Sequence, residues 1–111
     1  MATTAITAVT INDINTAGVG TPTAATSTTD GWLISGVNKS EKAIFVINAT
    51  AAGTATVKAG NGVASVNDLA LSLETGDNVF SVETSRFLNA DEKIQIIPDA
   101  TTHKIAVYQF R

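Results

Sequence analysis

From Gly31 onward, β-forming runs alternate with turn signals at intervals of about 8–12 residues, a cadence that few folds other than an antiparallel sandwich or barrel accommodate. The runs are "GWLIS" (31–35), "KAIFVINA" (42–49), "TATVKA" (54–59), "DLALSLE" (68–74), "NVFSVE" (78–83), "KIQII" (93–97) and "HKIAVYQF" (103–110). Each is too short for a helix that packs on its own. Polar "NKSEK" (38–42), "TAAG" (50–53), "ETGD" (74–77) and "PDATT" (98–102) separate them. Glycine, asparagine and aspartate suit the turns, and Pro98 ends a strand.

Within the runs, periodicity assigns faces. Ala55, Val57 and Ala59 share one side of a strand, and Thr54, Thr56 and Lys58 the other. Leu69, Leu71 and Leu73 share a face, as do Phe80 and Val82. "KAIFVINA" does not alternate, which predicts a central strand covered on both faces. "VASVNDLALSLE" (63–74) also fits a helix, with Val63, Val66, Leu69, Ala70 and Leu73 near one side. The alternating leucines and the glycine turns on either side favour strand. Composition agrees, because the polar residues are mainly Thr, Ser and Asn rather than the long side chains that dress exposed helices. The expected fold is all-β, a single antiparallel β-sandwich, jelly-roll-like or immunoglobulin-like, of about eight short strands.

Residues 1–30 read differently from the sandwich domain expected over 31–111. They are mostly small or hydroxylated, with one proline and no aromatic residue. Ile6, Val9, Ile11 and Ile14 support one strand, and Gly18 to Asp30 reads as loop. Two readings stay open: a first strand followed by a long loop, or an arm that orders only against a partner. In the second, Ile6, Val9 and Ile11 are candidate partner contacts.

Charge and cysteine content narrow the function classes. The 111 residues carry a formal net charge of −3 and only 15% charged side chains. Nucleic-acid binding, which needs a dense basic patch, is not expected. With no cysteine there is neither a disulfide framework nor a thiolate metal site. No window approaches the ~18 apolar residues of a membrane span, and the first residues lack the basic and apolar regions of a secretory signal. A soluble protein made in a cytosol is the expectation.

Few residues invite chemistry. "GNG" at Gly60, Asn61 and Gly62 resembles part of a phosphate cradle, but no Lys-Ser/Thr follows and no helix opens. A wide turn that uses positive φ accounts for it. His103 is the one histidine. It is expected to be partly exposed at the start of a strand, and alone it cannot build a histidine–carboxylate zinc site. No serine sits in a nucleophile elbow. "ETGDN" (74–78) offers too few oxygen ligands for calcium. No catalytic, metal-binding or cofactor-binding residue is therefore predicted. Trp32, Phe45, Phe80, Phe87, Tyr108 and Phe110 are spaced as core rings of a sandwich. Trp32, beside the N-terminal segment, is also a candidate partner contact.

Residues 42–110 resemble the small head-associated proteins of tailed bacteriophages, of the capsid decoration or cement type. The matching residues are Phe45 to Asn48, Thr54 to Gly62 and Asp68 to Asp77, then Arg86, Phe87, Asn89, Ala90, Asp91, Ile94 and Ile96. Most are turn and core positions, and residues 1–30 take no part in the match. The resemblance implies a non-enzymatic virion structural protein on the capsid exterior, assembled in the host cytoplasm. Its partner would be the major capsid protein, and it would stabilise the capsid without a cofactor. A homo-oligomer is also open as a partner state, for which a trimer would suit threefold lattice positions. Arg86 beside Phe87 is expected to anchor its own loop through carbonyls or Asp91, and it is also a candidate interface contact. The alternative function is a carbohydrate- or host-surface-binding module that uses Trp32 and the loops.

Overall fold

In the computed structural model, which describes residues 3–11, 21–37, 42–58, 67–84, 87–89 and 92–110, the short runs form ten strands and no helix longer than a single turn. They are β1 (Thr4–Thr7), β2 (Val9–Ile11), β3 (Thr23–Ala24), β4 (Trp32–Ser35) and β5 (Lys42–Ala49), followed by β6 (Gly53–Val57), β7 (Leu69–Leu73), β8 (Gly76–Glu83), β9 (Ile94–Pro98) and β10 (Lys104–Phe110). One sheet has the order β1-β4-β9-β6-β7, and the other has β2-β10-β5-β8 with β3 paired to β10. The all-β sandwich read from the cadence is thus the fold.

Two details depart from a purely antiparallel arrangement of about eight strands. Pairing is mostly antiparallel, but β1 runs parallel to β4 and β2 parallel to β10. Both exceptions come from the N-terminal segment, whose apolar positions predicted one strand. The extended chain instead changes sheets at Ala8, which is buried and donates its N–H to the Ser35 carbonyl at 2.9 Å. Strands that cross from sheet to sheet in this way close the corner of a sandwich. Ile6, Ala8 and Ala25 belong to the same buried cluster as Trp32 and Phe45. The described part of residues 1–30 is therefore built into the sandwich.

The core lies between the sheets. Trp32, Ile34, Ile94, Ile96 and Val57 enter it from the first sheet, and Phe45, Ile47, Ile105 and Val107 from the second, all at most 1% exposed. Complete burial of each such side chain stabilises the fold by roughly 1.5–3 kcal/mol. Phe45 and Phe80, opposite one another across β5 and β8, have ring centroids 5.2 Å apart. The leucines of β7 lie in register with Gly53, Ala55 and Val57 and share their inward side. Burial falls from Leu73 at 3% exposed to Leu69 at 37%, because β7 is the last strand of its sheet. The helix reading of 63–74 fails for its described part, since Leu69–Leu73 is a strand.

Turn chemistry fixes the registers. Gly76 has φ of 110°, which glycine alone adopts without strain. Asn78 holds the β7–β8 turn, accepting from the Glu74 N–H at 3.0 Å and donating to the Glu74 carbonyl at 2.8 Å. Gly60, Asn61 and Gly62 lie outside the described residues, as do Ile14, Arg86 and Asp91.

Candidate protein-binding face

In a sheet, residues paired in register point to the same side. Phe45, Ile47 and Ala43 point inward from β5, so Ile44, Val46 and Asn48 point outward. Tyr108 lies opposite Ile44 on β10, and Ser81 lies opposite it on β8. Val9 of β2 pairs in turn with Tyr108. The next row holds Ala106, Val46 and Val79. Except for Ser81, these outward positions form an unbroken apolar block across four strands. Val79 is 67% exposed and Val9, Ile44, Val46 and Tyr108 are partly exposed, whereas Ala106 between them is buried at 5%.

Charged rows bound the block at both ends. Lys42 pairs with Glu83 at one end. At the other, Lys104, Asn48 and Asp77 lie side by side on β10, β5 and β8, and Asn48 Nδ2 donates to Asp77 Oδ1 at 2.8 Å. The outer side of the first sheet has a different character. Thr7, Ser35, Thr54, Ser72 and Thr56 stand there with Gln95, and the apolar Leu33, Ile97, Ala5 and Ala70 are interspersed among them. A solvated antiparallel face is ordinarily polar. A contiguous apolar one marks a contact surface.

The continuous apolar run of β5 is the sequence signal for this face, although it predicted coverage on both sides. One side is covered by the opposite sheet. The other remains partly exposed, so the expectation of two covered faces is corrected. Tyr108, expected in the core, stands on this outer face as well.

The candidate contacts read from sequence divide in a similar way. Val9 is on the face. Ile6, 7% exposed, faces the core from β1. Trp32 is fully buried, and its Nε1–H donates to the Thr23 carbonyl at 3.1 Å. Both are corrected as contacts, because β4 lies between β1 and β9 and sends Trp32 into the inter-sheet space. Ile11 pairs with Phe110, but its side chain lies outside the described residues, as does all of Arg86.

His103 is also corrected. It is 2% exposed rather than partly open. Its Nε2–H donates to Asp99 Oδ1 at 2.7 Å, and its buried Nδ1 has no partner among the described residues. That hydrogen bond is the main cause that holds the Asp99 carboxyl below its ordinary value of 3.8, helped by the Thr54 backbone and opposed by desolvation. Asp99 in turn donates its N–H to the Thr54 carbonyl at 3.0 Å. The carboxylate also occupies the space a Cβ on Gly53 would need, 2.6 Å from it. The pair thus latches the β9–β10 turn to the start of β6. Shut from solvent, the imidazole is placed to hold that turn rather than to meet a substrate.

Among the described residues, no group of three or more His, Cys, Asp or Glu side chains is placed to hold a metal ion. Nor is any helix among them long and apolar enough to cross a membrane. Comparison with protein-family models, curated proteins and solved structures found no match to this chain.

Proposed function

We propose that this chain is a non-enzymatic structural protein of a tailed-phage virion, one that decorates the capsid exterior and stabilises the assembled shell by binding the major capsid protein lattice. The apolar outer face of the second sheet carries the reading. It is a surface suited to protein rather than to a small molecule, being apolar and bounded by charge. The resemblance of residues 42–110 to decoration proteins supplies the partner. On a repeating shell, even weak contacts gain from multivalency when the decorating protein spans several sites.

The test is co-sedimentation of the purified chain with expanded, emptied capsids of the phage that encodes it. Binding should approach one copy per repeating lattice position and should raise the temperature at which the shells open. The reading falls if the chain ignores capsids. Glycan binding on a cell-wall array would then favour the rival binding module, although Trp32 is not available to it as an aromatic platform.

A further inference from the structure

We infer that the apolar face of the second sheet takes a second copy of this chain, packed face to face about a two-fold axis that runs along β5. The inference deepens the proposed function and rests on the reading of this face as a protein-binding surface. The argument for the occupant is charge complementarity. An axis along β5 exchanges the positions of β10 and β8 and leaves β5 facing its own copy. Lys104 then faces Asp77 of the other copy, since the two residues flank Asn48 in one row. At the opposite end, Lys42 meets its own counterpart across the axis, and Glu83 of each copy stands within reach to offset the two ammonium groups. Between these rows Ile44 and Val46 meet their own counterparts, Val79 lies over the buried Ala106, and Tyr108 meets Ser81. An axis in the sheet plane but perpendicular to the strands fails the same test. It sets Glu83 against Asp77 on facing β8 strands, with like charges opposed.

Shape and size are consistent with this occupant. Among the described side chains of the apolar rows, none is larger than isoleucine except Tyr108, and Tyr108 falls opposite the small Ser81. Stacked sheets pack about 10 Å apart with strands within about 30° of alignment, which an axis along a strand permits. With the axis along β5, β2 has no strand opposite it, so three strands spaced by about 4.8 Å and four rows spaced by about 6.8 Å cover on the order of 400 Å² per copy. Two copies together bury on the order of 800 Å², the size of a weak, transient interface, so the dimer is expected to form only at about 100 µM and above.

The experiment measures molar mass by light scattering and sedimentation for the purified full chain, from about 1 to 200 µM. The expected result is a concentration-dependent rise towards twice the 11.4 kDa of one chain. Val46→Asp should weaken association at least about 100-fold. Should that variant fail to fold, the exposed charges carry the test. Lys104→Glu should weaken the dimer about tenfold, and Lys104→Glu with Asp77→Lys should restore it to within about threefold. A chain that stays monomeric, a trimer, a dimer indifferent to Val46→Asp, or a charge swap without rescue overturns the inference.

Capsid co-sedimentation separates this inference from the function. A wild-type monomer whose capsid binding disappears in Val46→Asp assigns the face to the lattice, which sinks the dimer and keeps the decoration reading. A dimer that ignores capsids does the reverse.

Discussion

Truncating Asp99 to alanine is expected to destabilise the protein by about 2 kcal/mol, and the cost falls on His103. The Asp99 side chain is itself 46% exposed, so its own desolvation contributes little. The imidazole is only 2% exposed, and its Nδ1 already lacks a partner among the described residues. Removing the carboxylate orphans the Nε2–H as well. An unsatisfied buried donor costs about 1–3 kcal/mol. For a domain of this size, about 2 kcal/mol lowers the melting temperature by roughly 8 °C.

Asp99→Asn should cost only about 1 kcal/mol, because a neutral acceptor replaces a charged one. Asp99→Ala combined with His103→Leu should cost less than Asp99→Ala alone, because the double variant leaves no orphaned imidazole. The pH dependence has a definite sign. The Asp99 carboxyl is depressed in the folded state, chiefly by the His103 hydrogen bond. Its contribution is therefore complete above the unfolded value near 3.8 and is lost as pH falls through the lower folded value. Asp99→Asn should flatten the acid limb of the stability profile in that window. The assay is denaturant unfolding of the single and double variants with a thermal melt at each pH. An Asp99→Ala cost below about 0.5 kcal/mol would refute the latch, as would costs that simply add in the double variant.

Three further outcomes follow from the fold. Trp32→Ala should cost about 3–5 kcal/mol by cavity formation, a large part of the 5–15 kcal/mol typical of a domain, and native Trp32 fluorescence should be blue-shifted and resistant to iodide quenching. Gly31→Ala should destabilise by more than about 2 kcal/mol in urea unfolding, because φ is 66° and the added Cβ would stand 2.2 Å from the Ile96 carbonyl oxygen. Asn78→Ala should cost about 1–2 kcal/mol by calorimetry, since one side chain serves the Glu74 N–H and the Glu74 and Gly76 carbonyls.

Most of the strand architecture was legible because turn residues and period-two patterns act locally. "ETGDN" marked a turn, and the leucines of 69–73 marked a face, from spacing alone. What stayed hidden depends on long-range pairing. Nothing in "TAITAVTI" says that the chain changes sheets at Ala8, since a corner between parallel-paired edge strands uses the same small and β-branched residues as a continuous strand. His103 was misplaced for a related reason. Its position after "DATT" suggested exposure, yet Asp99 lies four residues before it and the β9–β10 turn folds the carboxylate back onto the ring. A short-range partner allows a polar side chain to be buried where the local sequence reads as surface.

The site was half legible, and the missing half is the informative one. An unbroken run such as "KAIFVINA" ordinarily means a strand with protein on both sides. The first sheet covers Ala43, Phe45, Ile47 and Ala49, while Ile44 and Val46 remain partly exposed beside Tyr108 and Val79. The inference from the run erred in assuming that the sandwich itself covers both sides of the strand. Trp32 misled in the opposite direction, since a large ring near a weakly patterned segment suggests a contact until β1 and β9 are seen to enclose its strand. Burial within the sandwich accounts for every large inward-facing side chain of β5, and only its outward side chains lack an internal reason for being apolar. That asymmetry is physical grounds for seeking the partner at the second sheet and not at the tryptophan.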